Sequence, residues 1–335
     1  MERIGLLRRW YFTALQREEL AGAAGLISIP VLCLLFRDDH FALFLIAKVL
    51  VITIACLGLH LQFGAAGVPN FAGAAFFGVG GYTAAVLSAR SNVPHLLLLA
   101  GGGIIAALIG SLLLLPLLRT RGHYAALITV AFGLLFRTFI EVNDSLGGPQ
   151  GLKLAGLRVL NWQFNDELAL GPVQASFYAN YVLLAAALLG LAFAMVRWLD
   201  RSWIGLALDA VRLDETAAAV FGLEVGRWKI VAFTLGNVLT GTAGALSAFM
   251  VGFIAPNNFT FRESLELVSI VLLGGIGNPW GLALASFIVV LLPEKLQVIQ
   301  EYRFLLYAVL VILILRFRPA GLMPRPLRRY VKSPA

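Results

Sequence analysis

The sequence predicts an all-α integral membrane protein, built as a bundle of about ten transmembrane helices with Gly/Pro-interrupted segments. Of its 335 residues, 60% are hydrophobic and only 13% are charged, which is more apolar sequence than a soluble core of this length can bury. Apolar runs of about 20 residues recur, and this is the length that a helix needs to cross hydrocarbon. The runs do not alternate apolar and polar positions as the strands of a membrane β-barrel would.

Ten such runs are predicted to span the membrane, and an even number of spans places both termini on one side. The whole chain, 1–335, is interpreted as a single transmembrane domain. Spans eight and nine are short, and glycine, asparagine and proline separate them at 274–279. The predicted spans lie at 20–36, 41–63, 72–89, 95–118, 123–141, 178–198, 229–252, 264–276, 281–297 and 303–317.

Lysine and arginine are divided unequally between the two predicted sides. Seventeen lie on one side and seven on the other, with Lys48 and Arg137 left inside spans. Because basic residues concentrate in cytoplasmic loops, the richer side is predicted to be cytoplasmic, with both termini on it, and the loop 142–177 to be external. This distribution accounts for the net charge of +8. We therefore expect the chain to be surrounded by lipid, and we do not expect it to bind nucleic acid.

The stretch 200–229, called the charged segment below, carries nine charged residues between two apolar runs. So many charges cannot lie in hydrocarbon, so the segment is predicted to lie in water or at the headgroups. Its apolar residues nevertheless recur at helical spacing, and Gly205 and Gly222 bracket them. The pattern predicts one amphipathic helix over about 204–222, with a stripe made of Leu206, Ala210, Leu213, Ala217 and Val220.

Two glycine-rich stretches interrupt the apolar runs, at 63–81 and 274–281. Small residues let helices approach closely, so tight packing with a short turn is one interpretation. A broken helix beside a solute path is the other, because irregular backbone at membrane depth must be buried in protein or line a cavity. The glycines proposed for gating or packing are Gly73, Gly78, Gly274, Gly275 and Gly277.

The sequence shows no constellation for catalysis, metal binding or nucleotide binding. None of its five lysines follows a glycine, so a phosphate-binding loop cannot form, and its four histidines are scattered singly. Arg137 and Glu141 lie four residues apart and either pair on one helix face or contact a polar solute. Glu266 is expected near a membrane surface, at the start of span eight. The lack of an acidic residue at a clear midpoint argues against an ion-coupled carrier.

Several motifs resemble the membrane-spanning permeases of ATP-binding-cassette importers, in particular the branched-chain amino acid (LivM-like) family. The charged segment contains Glu215-x-Ala217-Ala218-x-x-x-Gly222, similar to the loop by which these permeases dock on their ATPase subunits, although one acidic residue common in that loop is missing. The resemblance runs from about residue 45 to 323 in the expected order. Further matching motifs are 70–82 (NFAGAAFFGVGGY), 121–124 (RGHY), 147–152 (GGPQGL), 252–256 (GFIAP), 273–277 (LGGIG) and 317–322 (FRPAGL).

The resemblance implies a complex in the bacterial inner membrane. Its members would be this chain, a paralogous permease, two cytoplasmic ATPase subunits and an external solute-binding protein. The chain itself is expected to hold no cofactor and to be no enzyme, because ATP and Mg²⁺ would bind the partner subunits. The residues expected in the cytoplasmic coupling helix are Gly205, Asp209, Arg212, Asp214, Glu215, Ala217, Ala218 and Gly222.

The resemblance implies branched-chain amino acids as the solute, with urea, amides or aromatic acids as alternatives in the same class of importer. Two other classes stay open, an ion-coupled secondary carrier and a membrane enzyme, although no reactive cluster supports the second. An apolar solute would need an apolar path with few polar contacts. Including the charged pair on span five, the predicted path residues are Asn70, Phe71, Tyr82, Thr83, Thr129, Phe132, Arg137 and Glu141.

Overall fold

The helical bundle predicted from the sequence is present in the computed structural model of the chain. The structure describes residues 33, 35–36, 39–91, 93–118, 123–159, 162–164, 168–170, 173–275, 278–295, 302–317 and 321–323. Most of the predicted span 20–36 lies outside these residues, as do Gly277 and both chain termini.

Nine helices of the described chain occupy the positions of predicted spans two to ten, and two shorter helices lie in the charged segment. Five of the nine are long and apolar enough to cross a membrane. The all-α membrane fold is therefore confirmed, while the count of about ten spans remains a prediction. The helices are α1 His40–Leu59, α2 Gly73–Arg90, α3 His95–Leu117, α4 His123–Val142, α5 Tyr178–Arg201, α6 Trp203–Leu213, α7 Glu215–Val220, α8 Val225–Val251, α9 Phe261–Gly274, α10 Pro279–Lys295 and α11 Arg303–Phe317.

Six short strands lie in or beside the loop 142–177. Strand β1 pairs antiparallel with β6, which follows α8, and this pairing places Leu152 opposite Ile254. The other strands form two antiparallel pairs, β2 with β3 and β4 with β5. The strands are β1 Leu152–Lys153, β2 Arg158–Val159, β3 Trp162–Gln163, β4 Leu168–Leu170, β5 Val173–Ala175 and β6 Phe253–Ile254.

Helix α8 lies at the centre of the bundle, and α1, α2 and α3 pack around it. Glycines make this close packing possible: a Cβ on Gly80 of α2 would overlap the carbonyl oxygen of Gly241 in α8, and one on Gly241 would lie 2.7 Å from the carbonyl oxygen of Gly102 in α3. Three backbones therefore come close together with only small side chains such as that of Ala106 beside them, which small residues allow inside a membrane.

The loop 142–177 lies at one end of the bundle, called the loop end below. The charged segment lies at the other end, called the segment end. At the loop end, α1 begins where His40 Nδ1 lies 2.5 Å from Ser176 Oγ, and Arg158 N–H donates to His95 Nδ1 at 2.9 Å. At the segment end, the chain that follows α1 meets the charged segment, since a Cβ on Gly67 would lie 3.1 Å from Arg212 Cγ.

Helix α9 reaches the interior of the bundle in its second turn, while Phe261 at its start is 40% exposed. Cys56 Sγ donates to the carbonyl oxygen of Leu267 across 3.8 Å, and Cys56 lies about 24 Å along α1 from His40 at the loop end. Glu266 therefore lies well along α1 from the loop end, and its position relative to the membrane surface stays a prediction. Residues 252–260 connect α8 to α9 through β6 and a 3₁₀ turn, and Phe259 of this stretch is buried.

Candidate functional site

The charged segment folds as two helices, α6 and α7, and not as the single helix predicted over 204–222. The break falls at Asp214, whose backbone is extended at φ −157° and ψ 108°. The Asp214 carboxylate accepts hydrogen bonds from the amides of Thr216 at 2.8 Å and Ala217 at 3.0 Å. Aspartate competes well for this N-cap position, so it starts a new helix where the apolar periodicity alone predicts continuation.

Helix α6 lies with one face against the bundle. Its buried residues are Gly205, Ala207, Leu208, Asp209 and Val211. A Cβ on Gly205 would lie 2.5 Å from the carbonyl oxygen of Leu199, so only glycine fits the tight turn out of α5. Asp209, predicted as a coupling residue, is thus placed on the inner face and not on the outer surface of the segment.

Four large apolar side chains of the segment are exposed, Trp203 at the start of α6 (65%) and three near α7. Leu213 is 78% exposed, Val220 is 81% exposed and Phe221 is 85% exposed, and we call them the apolar triplet. Leu213 and Val220 belong to the predicted stripe, whereas Leu206 and Ala210 of that stripe are partly buried. Phe221 lies outside the stripe and was missed, because it follows the last helical turn.

The charges of the segment hold α7 in place beside the triplet. Glu215 and Lys229 form an ion pair of 2.7 Å that ties the start of α7 to α8. Ala218 is buried while Ala217 is exposed, so α7 also presents one face to the bundle. Gly222 ends α7 with φ +83°, a conformation that favours glycine. Most of the predicted coupling residues therefore hold the two helices of this surface in position, and fewer of them form its exposed part.

The chain between α1 and α2 is a buried, irregular break. Helix α1 ends in a π-helical turn, His60–Ala65, and the next regular residue is Gly73. Gln62 connects the break to the central helix: its amide donates to Asn237 Oδ1 at 2.9 Å and accepts from Asn70 Nδ2 at 2.6 Å. Phe71 N–H donates to Thr129 Oγ1 at 3.1 Å. A side chain thus provides the hydrogen-bond partner of the Phe71 amide, as irregular backbone at membrane depth requires.

The predicted path residues fall in three separate places. Asn70 and Phe71 lie in the break just described, and Thr129 of α4 accepts a hydrogen bond from it. Tyr82, Thr83 and Phe132 line an apolar groove of about 560 Å³ between α2, α3 and α4. Arg137 and Glu141 form an ion pair of 2.8 Å towards the loop end of α4, which is the pairing their spacing predicts.

The glycines proposed for gating or packing make close contacts. A Cβ on Gly73 would lie 2.9 Å from Leu59 of α1, and one on Gly78 would lie 2.6 Å from Phe136 of α4. Gly274 meets the backbone of Gly281 at the turn between α9 and α10, and Gly275 there has φ +103°. Packing and turn formation explain these four positions, and a role in gating remains a prediction.

Sequence reasoning missed Gln62 and Asn237, the polar residues that join α1 to α8. Both are fully buried, and Gln62 also donates to the carbonyl oxygen of Phe233 at 3.1 Å. An amide within an apolar span is a signal that could have found them, because it must find a partner away from water.

This architecture defines a class: a multi-pass helical membrane protein with a surface helix pair at one end. A family model described as the branched-chain amino acid transport system permease component matches residues 41–315, and the chain belongs to that family. The expectation from the motifs is confirmed. No solved structure matches the chain.

Individual relatives agree with this family. The chain is 33% identical to the high-affinity branched-chain amino acid transport system permease protein LivM of Escherichia coli, over 80% of this chain and 66% of the relative. It is 26% identical to a probable LivM of Methanocaldococcus jannaschii, over 81% of this chain and 90% of the relative. It is 22% identical to the LivH permease of Escherichia coli over the same shares. The matched region thus spans about two thirds of the Escherichia coli LivM protein.

Proposed function

We propose that the chain is the transmembrane permease subunit of an ATP-driven importer for branched-chain amino acids. In this proposal, separate ATPase subunits dock on α6 and α7 and drive transport through this contact. The observation that carries the proposal is the apolar triplet, held outward by a helix pair whose other face is packed on the bundle. Membership of the permease family supports the solute class.

The surface has the features of a docking site for a soluble partner. A helix presenting apolar side chains fits an apolar groove, and exposed charges at the rim, here Asp214 and Glu215, set specificity and the rate of association. The chain has no phosphate-binding loop of its own. Energy from ATP must therefore enter through a protein contact, and the segment end offers this one.

The contacts behind α6 supply a route from that surface to the interior. Arg212 of α6 packs on Gly67 in the irregular break, and the break is joined through Gln62 to Asn237 of the central helix. A displacement of α6 would press on non-helical backbone, which changes its dihedral angles more easily than a helix does. Coupling in this proposal is transmission from α6 through the break to α8.

The finer topology belongs to the same proposal. About ten spans, a cytoplasmic charged segment and cytoplasmic termini follow from the lysine and arginine distribution, and we place the chain in the bacterial inner membrane. Its relatives include both LivM and LivH permease proteins of Escherichia coli, which supports a paralogous permease as partner. An external solute-binding protein would complete the assembly.

The proposal is tested by purifying the tagged chain from its native membrane and measuring the ATPase that accompanies it. Val220→Asp and Phe221→Asp each place a charge in the apolar triplet, and we expect co-purified ATPase activity to fall at least tenfold, as for a central interface residue. Val142→Asp is the matched control, because Val142 is 77% exposed at the loop end. Normal ATPase recovery in both well-folded triplet variants would refute the docking surface.

A further inference from the structure

A cavity of about 350 Å³ lies between α1, α2, α8, α9 and α10, in the half of the bundle nearer the loop end. Its volume is within the range of small-molecule sites. Aliphatic side chains form much of its wall, among them Val51 of α1, Val251 of α8, Leu267 of α9 and Val289 of α10. None of the path residues predicted from the sequence lines it.

Five charged side chains also line this cavity, from three different helices. Lys48 of α1 and Glu294 of α10 form an ion pair of 3.4 Å, and their side chains remain 40% and 26% exposed. On α9, Arg262 and Glu263 form an ion pair of 3.2 Å, and Glu266 follows one turn later. The wall thus carries two cations and three carboxylates.

These charges lie at a depth where they are costly without a function. Lys48 is about 12 Å along α1 from His40, and Glu266 lies deeper still, because the next residue, Leu267, is level with Cys56. Ionised groups this far inside a bundle are expensive unless they are paired and hydrated, and they mark solute paths. The structure places all five around one cavity, and the Arg262 side chain keeps 59% of its surface exposed there.

We propose, building on the function proposed above, that this cavity binds a free amino acid as a zwitterion with an aliphatic side chain. Lys48 and Arg262 can hold the carboxylate, and Glu263, Glu266 or Glu294 can hold the ammonium group, through charge-assisted hydrogen bonds. A solute that carries both charges replaces the ion pairs within the wall by ion pairs between wall and solute. A solute with only one charge would leave a wall group of the other sign without its partner. The aliphatic part of the wall buries the side chain of the solute.

The test uses the complex purified through a tag on the full chain and placed in phosphatidylcholine nanodiscs. Ser247, which lines the cavity, is changed in Ser247→Cys, and the rate of its modification by a small methanethiosulfonate is measured with and without L-leucine. Val251→Cys serves if the first variant does not fold. Ser145→Cys, on the exposed loop end, is the matched control, and the unmodified chain gives the background from the buried Cys33 and Cys56.

We expect L-leucine to slow modification of Ser247→Cys at least fivefold and to leave Ser145→Cys unaffected. At equal concentration, 4-methylpentanoate and 3-methylbutylamine, which each keep one charge of leucine, should not protect. Adding Lys48→Met or Glu266→Gln should raise the half-protecting leucine concentration at least tenfold. Arg90→Met, which removes an exposed cation at the loop end of α2, should leave it unchanged.

The inference is overturned if leucine fails to protect either cysteine position in a folded complex, or if protection survives both Lys48→Met and Glu266→Gln. It is also overturned if phosphatidylethanolamine in the nanodisc protects and leucine does not, because the cavity would then hold a lipid headgroup. ATP-dependent leucine uptake without protection would refute this site alone. Protection without ATP-dependent uptake would uphold the site and refute the importer.

Discussion

At the scale of single residues, glycine and amides decide how the central helices meet. Gly80, Gly102 and Gly241 sit where three backbones touch, while a Cβ on Gly133 of α4 would have no neighbouring atom within 4 Å among the described residues. A glycine-rich sequence predicts close packing in general. It cannot show which glycine faces a neighbour, because both kinds occur in similar apolar surroundings.

This difference gives a matched pair of substitutions. Gly80→Ala should lower the free energy of unfolding by about 1–3 kcal/mol, because the new methyl group overlaps the Gly241 carbonyl and forces the helices apart. Gly133→Ala should be neutral or stabilising by up to about 1 kcal/mol, since it only raises helix propensity. Thermal unfolding in detergent measures both. Equal effects of the two changes would contradict the packing described here.

At the scale of elements, the charged segment shows where periodicity misleads. Residues 204–222 carry apolar residues at continuous helical spacing, yet the chain breaks at Asp214 into α6 and α7. The capping hydrogen bonds of one aspartate outweigh the pattern. The location and amphipathic character of the segment were predictable from its residues, whereas the break, the burial of Asp209 and the exposure of Phe221 were not.

The cap can be tested by removing it. Asp214→Ala should destabilise α7 by about 1 kcal/mol, because the amides of Thr216 and Ala217 lose their acceptor. Hydrogen exchange over residues 215–220 should become faster, and Asp214→Asn, which keeps an acceptor oxygen, should restore slow exchange. The capping role is refuted if exchange there is the same in the alanine variant as in the native chain.

At the scale of the whole molecule, long apolar runs are the most predictable feature. The predicted spans 95–118, 123–141 and 303–317 differ from α3, α4 and α11 by no more than one residue at either end. Run length follows directly from the thickness of hydrocarbon, so it can be read from one sequence. The depth of α9 could not be read from the sequence, because it depends on contacts that residues 252–260 make with distant helices.

That depth bears on the mechanism as a whole. Glu263 and Glu266 lie inside the bundle, and carboxylates in such positions also occur in ion-coupled carriers. The positions of the acidic residues therefore no longer separate an ion-coupled carrier from an ATP-driven importer. The energy source must be decided by transport itself.

The most direct measurement is uptake of labelled L-leucine by proteoliposomes that contain the purified complex, with ATP supplied on the side of the charged segment. The account predicts uptake that requires ATP, that persists when proton and sodium gradients are abolished, and that is lost in Val220→Asp but not in Val142→Asp. Uptake by the chain alone, driven by an ion gradient without ATP, would contradict it.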